Sequence, residues 1–284
     1  RKSNVKLILK KEDEDLNEIK STSIEGIVIN SFANISEANL EVFRKLKLRG
    51  IKVITSLTWF EKELNRIPTN LIYDKFQLIE KIKSIEYNYQ LRIKRMGDII
   101  VSLLLVFVLS PIFLIISILI FLEDRNSIFY TQRRTGLNGR IFKVIKFRSM
   151  KINAEKDGIQ WSSKNDNRIT KIGKLIRATR LDELPQLFCV IRGDMSLIGP
   201  RPERPEIEKK LLKDIPFYDY RNVIKPGLSG WAQVNYPYGA SVFDSSKKLS
   251  YDIYYITNFS FFLDLLILFQ KIKIIFNLKG YKPY

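Results

Sequence analysis

The sequence predicts a membrane-associated α/β (α+β) chain. A helix hairpin enters one leaflet and returns, a small cytosolic domain after it carries the chemistry, and a βαβ segment precedes it. Three observations carry that expectation. Residues 99–122 run for twenty-four positions without a charge and are broken by Ser110-Pro111. Basic residues flank both ends of the run, and a strand–helix–strand pattern occupies residues 26–55.

The βαβ segment comes first. GIVINS (Gly26 to Ser31) is a short apolar strand, residues 35–50 form a helix closed by Gly50, and IKVIT (51–55) is a second strand. The two strands are expected to be parallel. No Gly-x-Gly-x-x-Gly is present, which argues against a dinucleotide site. Residues 1–85 therefore read as a structural or regulatory part.

A lead-in helix around 84–96 runs into the apolar stretch, so 86–124 form the second part. A straight helix over the run would be about 36 Å long, enough to cross a bilayer. Proline removes a donor and clashes with the preceding turn, so a kink or break is expected at Ser110-Pro111. Ser110 is placed to satisfy a carbonyl freed there. Arg92, Lys94 and Arg95 precede the run, and Arg125, Arg133 and Arg134 follow it. Positive charge on both sides favours a re-entrant hairpin with both ends in the cytoplasm. The alternative is an ordinary membrane helix with a tolerated proline.

Composition agrees with a membrane-facing protein. Forty-eight basic against thirty acidic residues give a net charge of +18. That excess suits an anionic leaflet, nucleic acid or phosphorylated substrates. The single cysteine, Cys189, lies in LFCVI, which rules out an internal disulfide and points to packing. Histidine is absent, so Ser-His-Asp and Cys-His catalysis and histidine metal sites are excluded. Catalysis must rest on carboxylates, lysine, arginine, tyrosine or a metal held by oxygen. The chain begins at Arg1 without a signal peptide, which reads as a piece of a longer chain.

The chemistry is expected in the third part, residues 125–284. In RIFKVIKFRSMK (Arg140 to Lys151), a strand puts Phe142, Val144, Lys146 and Arg148 on one face. Lys146 and Arg148 would stand about 6.6 Å apart, a spacing that suits two diphosphate oxygens. A solvated basic face is the alternative. Ile172, Leu175 and Ile176 then mark a short amphipathic helix that carries Arg177. LDELP (181–185) reads as a helix start closed by Gly193, with Asp182 and Glu183 as favourable first-turn acids. There is also a chemical reading of that pair. An aspartate at a helix N-terminus can attack phosphorus, provided Mg²⁺ or arginine relieves the charge repulsion. Glu183 would then add a metal oxygen.

Pro200 and Pro202 fix the backbone around Arg201, a pre-positioned guanidinium suited to phosphate. KPGLSGWAQVN (225–235) offers a glycine-rich turn whose Trp231, Gln233 and Asn235 either contact a base or sugar or pack within the turn. Residues 236–248 are a candidate specificity loop that names no sugar. The stretch 259–276 reads as an amphipathic helix at the interface or packed on the domain. Neither reading gives it a part in the chemistry.

KFRSM (146–150), LDELPQL (181–187), GDMSLIGPRPE (193–203), KPGLSGWAQVN (225–235) and YDIYYI (251–256) stand in the same order as in the bacterial sugar transferase family. These are the polyprenyl-phosphate hexose-1-phosphate transferases, and the chain resembles them from Lys94 to Phe276. The resemblance implies that residues 1–85 are part of a Rossmann-like domain, which four membrane helices precede in longer members. Those helices are absent here, which implies N-terminal shortening. It implies transfer of a sugar 1-phosphate from a UDP-sugar to undecaprenyl phosphate with release of UMP. That is the first membrane step of exopolysaccharide, capsule or glycoconjugate synthesis. Asp182 is then the nucleophile of an aspartyl phosphosugar intermediate, and Glu183 its partner, with both as Mg²⁺ ligands.

Lys146, Arg148, Arg177, Pro200, Arg201 and Pro202 fall on positions of phosphate binding or site support. Ser110-Pro111 falls on the family's helix break. Also implied are the bacterial inner membrane with a cytoplasmic-face site, membrane lipids as partners, a possible homodimer, and downstream glycosyltransferases that take the product. A membrane-tethered nucleic-acid binder fits the charge but lacks a binding motif. A catalytically silent scaffold is at odds with the intact acidic pair.

Overall fold

The computed structural model describes residues 26–30, 35–72, 89–154, 166–237, 239 and 241–276. The boundary at 85, the first residues of the lead-in helix, Tyr238 and Ala240 of the candidate specificity loop, and the chain after 276 lie outside them. Two compact units divide between Asn65 and Arg66.

The first unit contains the expected βαβ pattern. Strand β1 (Gly26–Ile29) pairs in parallel with β2 (Lys52–Thr55), and helix α1 (Glu37–Leu48) joins them. Ser36 caps α1 by accepting from the Asn39 N–H, and Phe43 and Leu46 give it a buried face. Gly50, at φ +86°, turns the chain from the helix into β2. Helix α2 (Ser56–Leu64) follows.

The second unit opens with helices α3 (Tyr89–Val108) and α4 (Ser110–Asp124), bent by 61° at Leu109. Pro111 sits in the first turn of α4, where its missing N–H costs least. The Ser110 hydroxyl donates to the Phe107 carbonyl at 2.8 Å. A residue other than proline at 111 would have supplied that carbonyl with its N–H. No single helix among the described residues is long and apolar enough to cross a membrane, although the bent pair passes by length and composition. Phe107, Leu114, Ile115 and Leu122 are 56–79% exposed, a large apolar surface left without protein cover.

One polar side of α3 fastens the pair to the rest of the unit. Lys94 donates to Asp264 at 2.7 Å, and Asp98 accepts from the Leu197 N–H at 3.2 Å. Arg95 donates to the carbonyls of Val190 and Ile191 at 2.6 and 2.9 Å.

Strands β3 (Phe129–Thr135) and β4 (Ile141–Phe147) form an antiparallel hairpin in which Tyr130 faces Lys146. Helices α5 (Lys171–Ala178) and α6 (Gln186–Arg192) lead to β5 (Ser196–Ile198), which pairs in parallel with β6 (Gly227–Ser229). Helix α7 (Pro205–Asp214) lies between those strands in sequence, and α8 (Trp231–Asn235) follows β6. Helices α9 (Val242–Thr257) and α10 (Phe261–Phe276) complete the unit. The core gathers Val144, Val190, Ile198, Trp231, Tyr255 and Ile267, with Cys189 fully buried among them as packing.

The glycines of the 225–235 turn serve close backbone contact. A Cβ on Gly227 would lie 2.0 Å from the Gly199 nitrogen, and one on Gly230 would lie 2.2 Å from the Gly199 oxygen. Gly227→Ala must therefore push β5 and β6 apart. We expect a loss of about 3 kcal/mol, at the upper end for overpacking. Thermal unfolding in detergent checks this, and an unchanged midpoint would contradict the close-contact account.

Candidate active site

The site is built where α5 hands over to α6. Thr170 caps α5 by accepting from the Gly173 N–H. Glu123, at the end of α4, accepts from the Lys171 N–H at 2.8 Å, which ties the bent helix pair to that helix start. After α5 the chain reverses at Arg180, which holds the left-handed conformation at φ +61°. A side chain rarely adopts that backbone, and such strain concentrates at functional sites. It places Leu181–Glu183 in a single 3₁₀ turn, so α6 begins only at Gln186, behind Pro185. The acidic pair thus precedes the helix instead of occupying its first turn. Beneath it Ile116 and Ile120 of α4 pack with Phe147 and Ile176, and Leu181 joins them. The apolar helix pair is the floor of the acidic turn.

Asp182 and Glu183 are both buried, and their surroundings differ sharply. Glu183 Oε1 accepts from Lys146 Nζ at 3.1 Å and from Arg201 Nη2 at 2.7 Å. Burial alone would raise its carboxyl, but Arg201 and Lys146 hold it well below the usual carboxylate range. No donor among the described residues hydrogen-bonds the Asp182 carboxylate. Burial and the adjacent Glu183 charge push Asp182 up, against the pull of Lys146, Arg177 and Arg180. One carboxylate is clamped and ionised, and its neighbour, without a hydrogen-bond donor among the described residues, stands in a field of cations. Such a split within a pair of titratable groups separates a supporting role from a reacting one.

Arg201 is presented by a turn whose carbonyls are all engaged. The Gly227 N–H donates to Pro200 O at 2.9 Å, and Arg221 Nη2 to Arg201 O at 2.7 Å. Arg134 Nη1 donates to Pro202 O at 3.0 Å, and the Thr135 N–H to Glu203 O at 3.0 Å. Arg221 is buried, and it also donates to Tyr218 Oη at 2.6 Å and Asp252 Oδ2 at 3.1 Å. Sequence reading assigned the rigidity of this turn to Pro200 and Pro202 and missed Arg134, Arg221 and Asp252. Asp252 lies inside YDIYYI, an acid in an otherwise apolar helix stretch, and that was the one available signal.

The expected site residues do not all converge. Lys146, Arg201 and the acidic pair meet directly, and Arg177 lies within electrostatic reach of Asp182. Arg148 falls just past the end of β4, and its Nη2 pairs with Asp124 at the end of α4 while Nε and Nη1 find no partner among the described residues. Trp231 is buried and stacks on Tyr254 at 6.1 Å, and Asn235 donates to the Trp231 carbonyl. Both follow the packing alternative. Gln233 buries its amide with no partner among the described residues.

No cluster of three or more potential ligands occurs among the described residues. A magnesium ion accepts such a sparse set. It keeps several waters and takes one or two carboxylates together with substrate phosphates. Asp182, whose oxygens accept from no donor among the described residues, and Glu183, which uses only Oε1 for Lys146 and Arg201 among those residues, fit that pattern.

Comparison with known proteins places the chain in context. The family model for bacterial sugar transferases matches residues 89–278. A UDP-N-acetylgalactosamine-undecaprenyl-phosphate N-acetylgalactosaminephosphotransferase of Aeromonas hydrophila is 46% identical over 183 residues, covering 64% of this chain and 43% of that one. A UDP-glucose:undecaprenyl-phosphate glucose-1-phosphate transferase of Klebsiella pneumoniae is 40% identical over 181 residues, 63% of this chain and 39% of its own length. An undecaprenyl-phosphate glucose phosphotransferase of Komagataeibacter xylinus is 39% identical over 186 residues, with shares of 63% and 35%. The chain thus spans less than half the length of each of these relatives.

Proposed function

The chain belongs to the bacterial sugar transferase family, and from that premise we propose that it moves a sugar 1-phosphate from a UDP-sugar to undecaprenyl phosphate, releasing UMP. The observation that carries this reading is the divided acidic pair, with Glu183 clamped by Lys146 and Arg201 and Asp182 without a donor among the described residues. Asp182 Oδ attacks the phosphorus that bears the sugar. The bond from that phosphorus to the bridging oxygen breaks, and UMP leaves with the electron pair. An aspartyl phosphosugar remains. An oxygen of the lipid phosphate then attacks the same phosphorus and displaces the carboxylate, which gives a diphosphate-linked lipid.

Phosphoryl transfer depends on positioning and on charge stabilisation, which the fixed Arg201 and Lys146 supply. Arg177 and Arg180 lower the cost of bringing an anion to Asp182. Mg²⁺, held by Asp182 and Glu183 together with substrate phosphates, would supply further neutralisation of the reacting oxygens.

The bent pair α3–α4 enters the cytoplasmic leaflet of the bacterial inner membrane in this reading, with its exposed apolar face in lipid. That puts the acidic turn, which rests on α4, at the surface where a soluble donor and a lipid acceptor meet. The diphosphate-linked lipid passes to downstream glycosyltransferases. The relatives are named for N-acetylgalactosamine and glucose donors, so the donor is a UDP-hexose or UDP-N-acetylhexosamine.

The test is to incubate the protein in detergent with Mg²⁺, undecaprenyl phosphate and UDP-glucose, UDP-galactose or their N-acetylated counterparts. UMP and a lipid-linked sugar diphosphate are expected in equal amounts from a preferred donor. Release of UDP in place of UMP would mean transfer of the sugar without its phosphate and would sink the proposal.

A further inference from the structure

Helix α10 has two unlike sides. Phe262, Leu266 and Phe269 are 45–81% exposed along its outer side. Asp264, Ile267 and Lys271 recur at intervals of three and four along the inner side. Two of these three fix the helix about its own axis. Asp264 accepts from Tyr255 Oη and from Lys94 Nζ, each at 2.7 Å, and Ile267 is fully buried in the core. Rotation is therefore set, and the third inner position is turned the same way as the other two. The charged groups of other elements that face Lys271 are Glu183, Arg180, Arg201 and Asp182. They are the acidic turn and the cations around it.

Glu183 is already clamped by Lys146 and Arg201, so Lys271 is not required to balance it. Lys146, Arg177, Arg180, Arg201 and Lys271 all act on the two carboxylates of the turn, so cations outnumber its acids. Holding an extra ammonium out of water beside other cations is unfavourable until an anion joins them. Burial pushes the Lys271 ammonium down to about 8, consistent with that cost.

We propose that Lys271 is a binding residue for the phosphate group of the polyprenyl acceptor, carried to the acidic turn by the helix whose outer side faces the bilayer. This rests on the transferase reading and names the group within it that receives the membrane-borne substrate. A phosphate that arrives from the lipid side meets Lys271 on α10. A donor diphosphate is instead met by Lys146 and Arg201, which the cytosolic part of the unit holds. A lysine suits this task because its flexible stem lets the charge follow a headgroup.

Binding of undecaprenyl phosphate by the wild type, Lys271→Met and Lys271→Arg in nanodiscs tests this directly, with thermal stabilisation by the lipid as readout. Loss of one charge-assisted contact is expected to weaken binding about 10- to 100-fold in Lys271→Met. Lys271→Arg should recover most of it, which a merely structural lysine would not predict from charge alone. In turnover, the acceptor KM should rise by a similar factor while the donor KM stays within twofold. Equal lipid stabilisation of wild type and Lys271→Met, or none of the wild type, would overturn the proposal. So would a rise confined to the donor KM. Failure of the wild type to turn over any UDP-sugar would count against the transferase reading, and the binding comparison would still be readable.

Discussion

Asp182→Asn is expected to lower lipid-dependent UMP release by on the order of 10³-fold or more, about 4 kcal/mol of barrier, while leaving the fold at least as stable as before. The two halves of that outcome have one cause. An amide matches a carboxylate in shape but cannot form the acyl phosphate bond, so the first transfer stops. Meanwhile the substitution removes a buried charge that burial and Glu183 both oppose. No donor among the described residues hydrogen-bonds the Asp182 carboxylate, so no hydrogen bond is lost. Its removal relieves like-charge repulsion inside the turn. Residues kept for reaction at the expense of stability behave this way.

The capping account of Asp182 predicts the reverse. Asparagine caps nearly as well as aspartate, so activity would persist and stability would barely move. Intact-protein mass after mixing with donor but no lipid separates the two accounts further. A sugar-phosphate adduct should appear on the wild type in stoichiometric amount and be absent from Asp182→Asn. An adduct on the variant, or near-normal turnover, would remove Asp182 from the role of nucleophile.

What was legible in the sequence was what neighbours in the chain decide. The βαβ pattern over residues 26–55 follows from strand composition, a Ser36 cap and a Gly50 exit. The break at Ser110-Pro111 follows from proline chemistry, and even the bond from Ser110 to a freed carbonyl was foreseeable. LDELP was read as a helix start, whereas the structure reverses the chain at Arg180 and holds Leu181–Glu183 in a 3₁₀ turn, with Leu181 packed on α4 and Ile176, contacts that lie far off in the sequence.

Long-range pairing was the hidden part. Lys94 meets Asp264 across 170 residues of sequence, and Asp98 meets Leu197 across 99. Arg148 was read as Lys146's neighbour on a strand face, yet its charge is taken by Asp124. Periodicity gives the face of a residue and says nothing of which charge the topology brings opposite it. The 225–235 turn was left open between ligand contact and packing because the partners of its glycines, the backbone atoms of Gly199, lie just past the end of β5 and far off in the sequence.

Arg221→Met should have the second large effect, a loss of about 3–5 kcal/mol together with a fall in turnover. The stability loss arises because Asp252, almost wholly buried and already pushed up to about 6 by burial, loses the guanidinium that holds it down, so it either stays charged without that partner or takes up a proton. The double variant Arg221→Met/Asp252→Asn should therefore be more stable than Arg221→Met alone. The loss of turnover has a different route, since Arg221 holds the carbonyl of Arg201 and pairs with Glu203 in the same turn at 3.7 Å. Arg221→Lys separates the two. It keeps a positive charge near Asp252, but its single ammonium cannot serve Tyr218, Asp252 and the Arg201 carbonyl as the guanidinium fork does.

We expect about a tenfold lower kcat from Arg221→Lys, with most of the stability retained. Placed on an Arg201→Ala background, the same change should cost almost nothing further, because the side chain it positions is gone. Multiplicative losses in that cycle would show that Arg221 supports the unit as a whole and not the Arg201 turn. Non-additive losses would establish that a buried arginine, rather than the two prolines alone, sets the guanidinium that clamps Glu183.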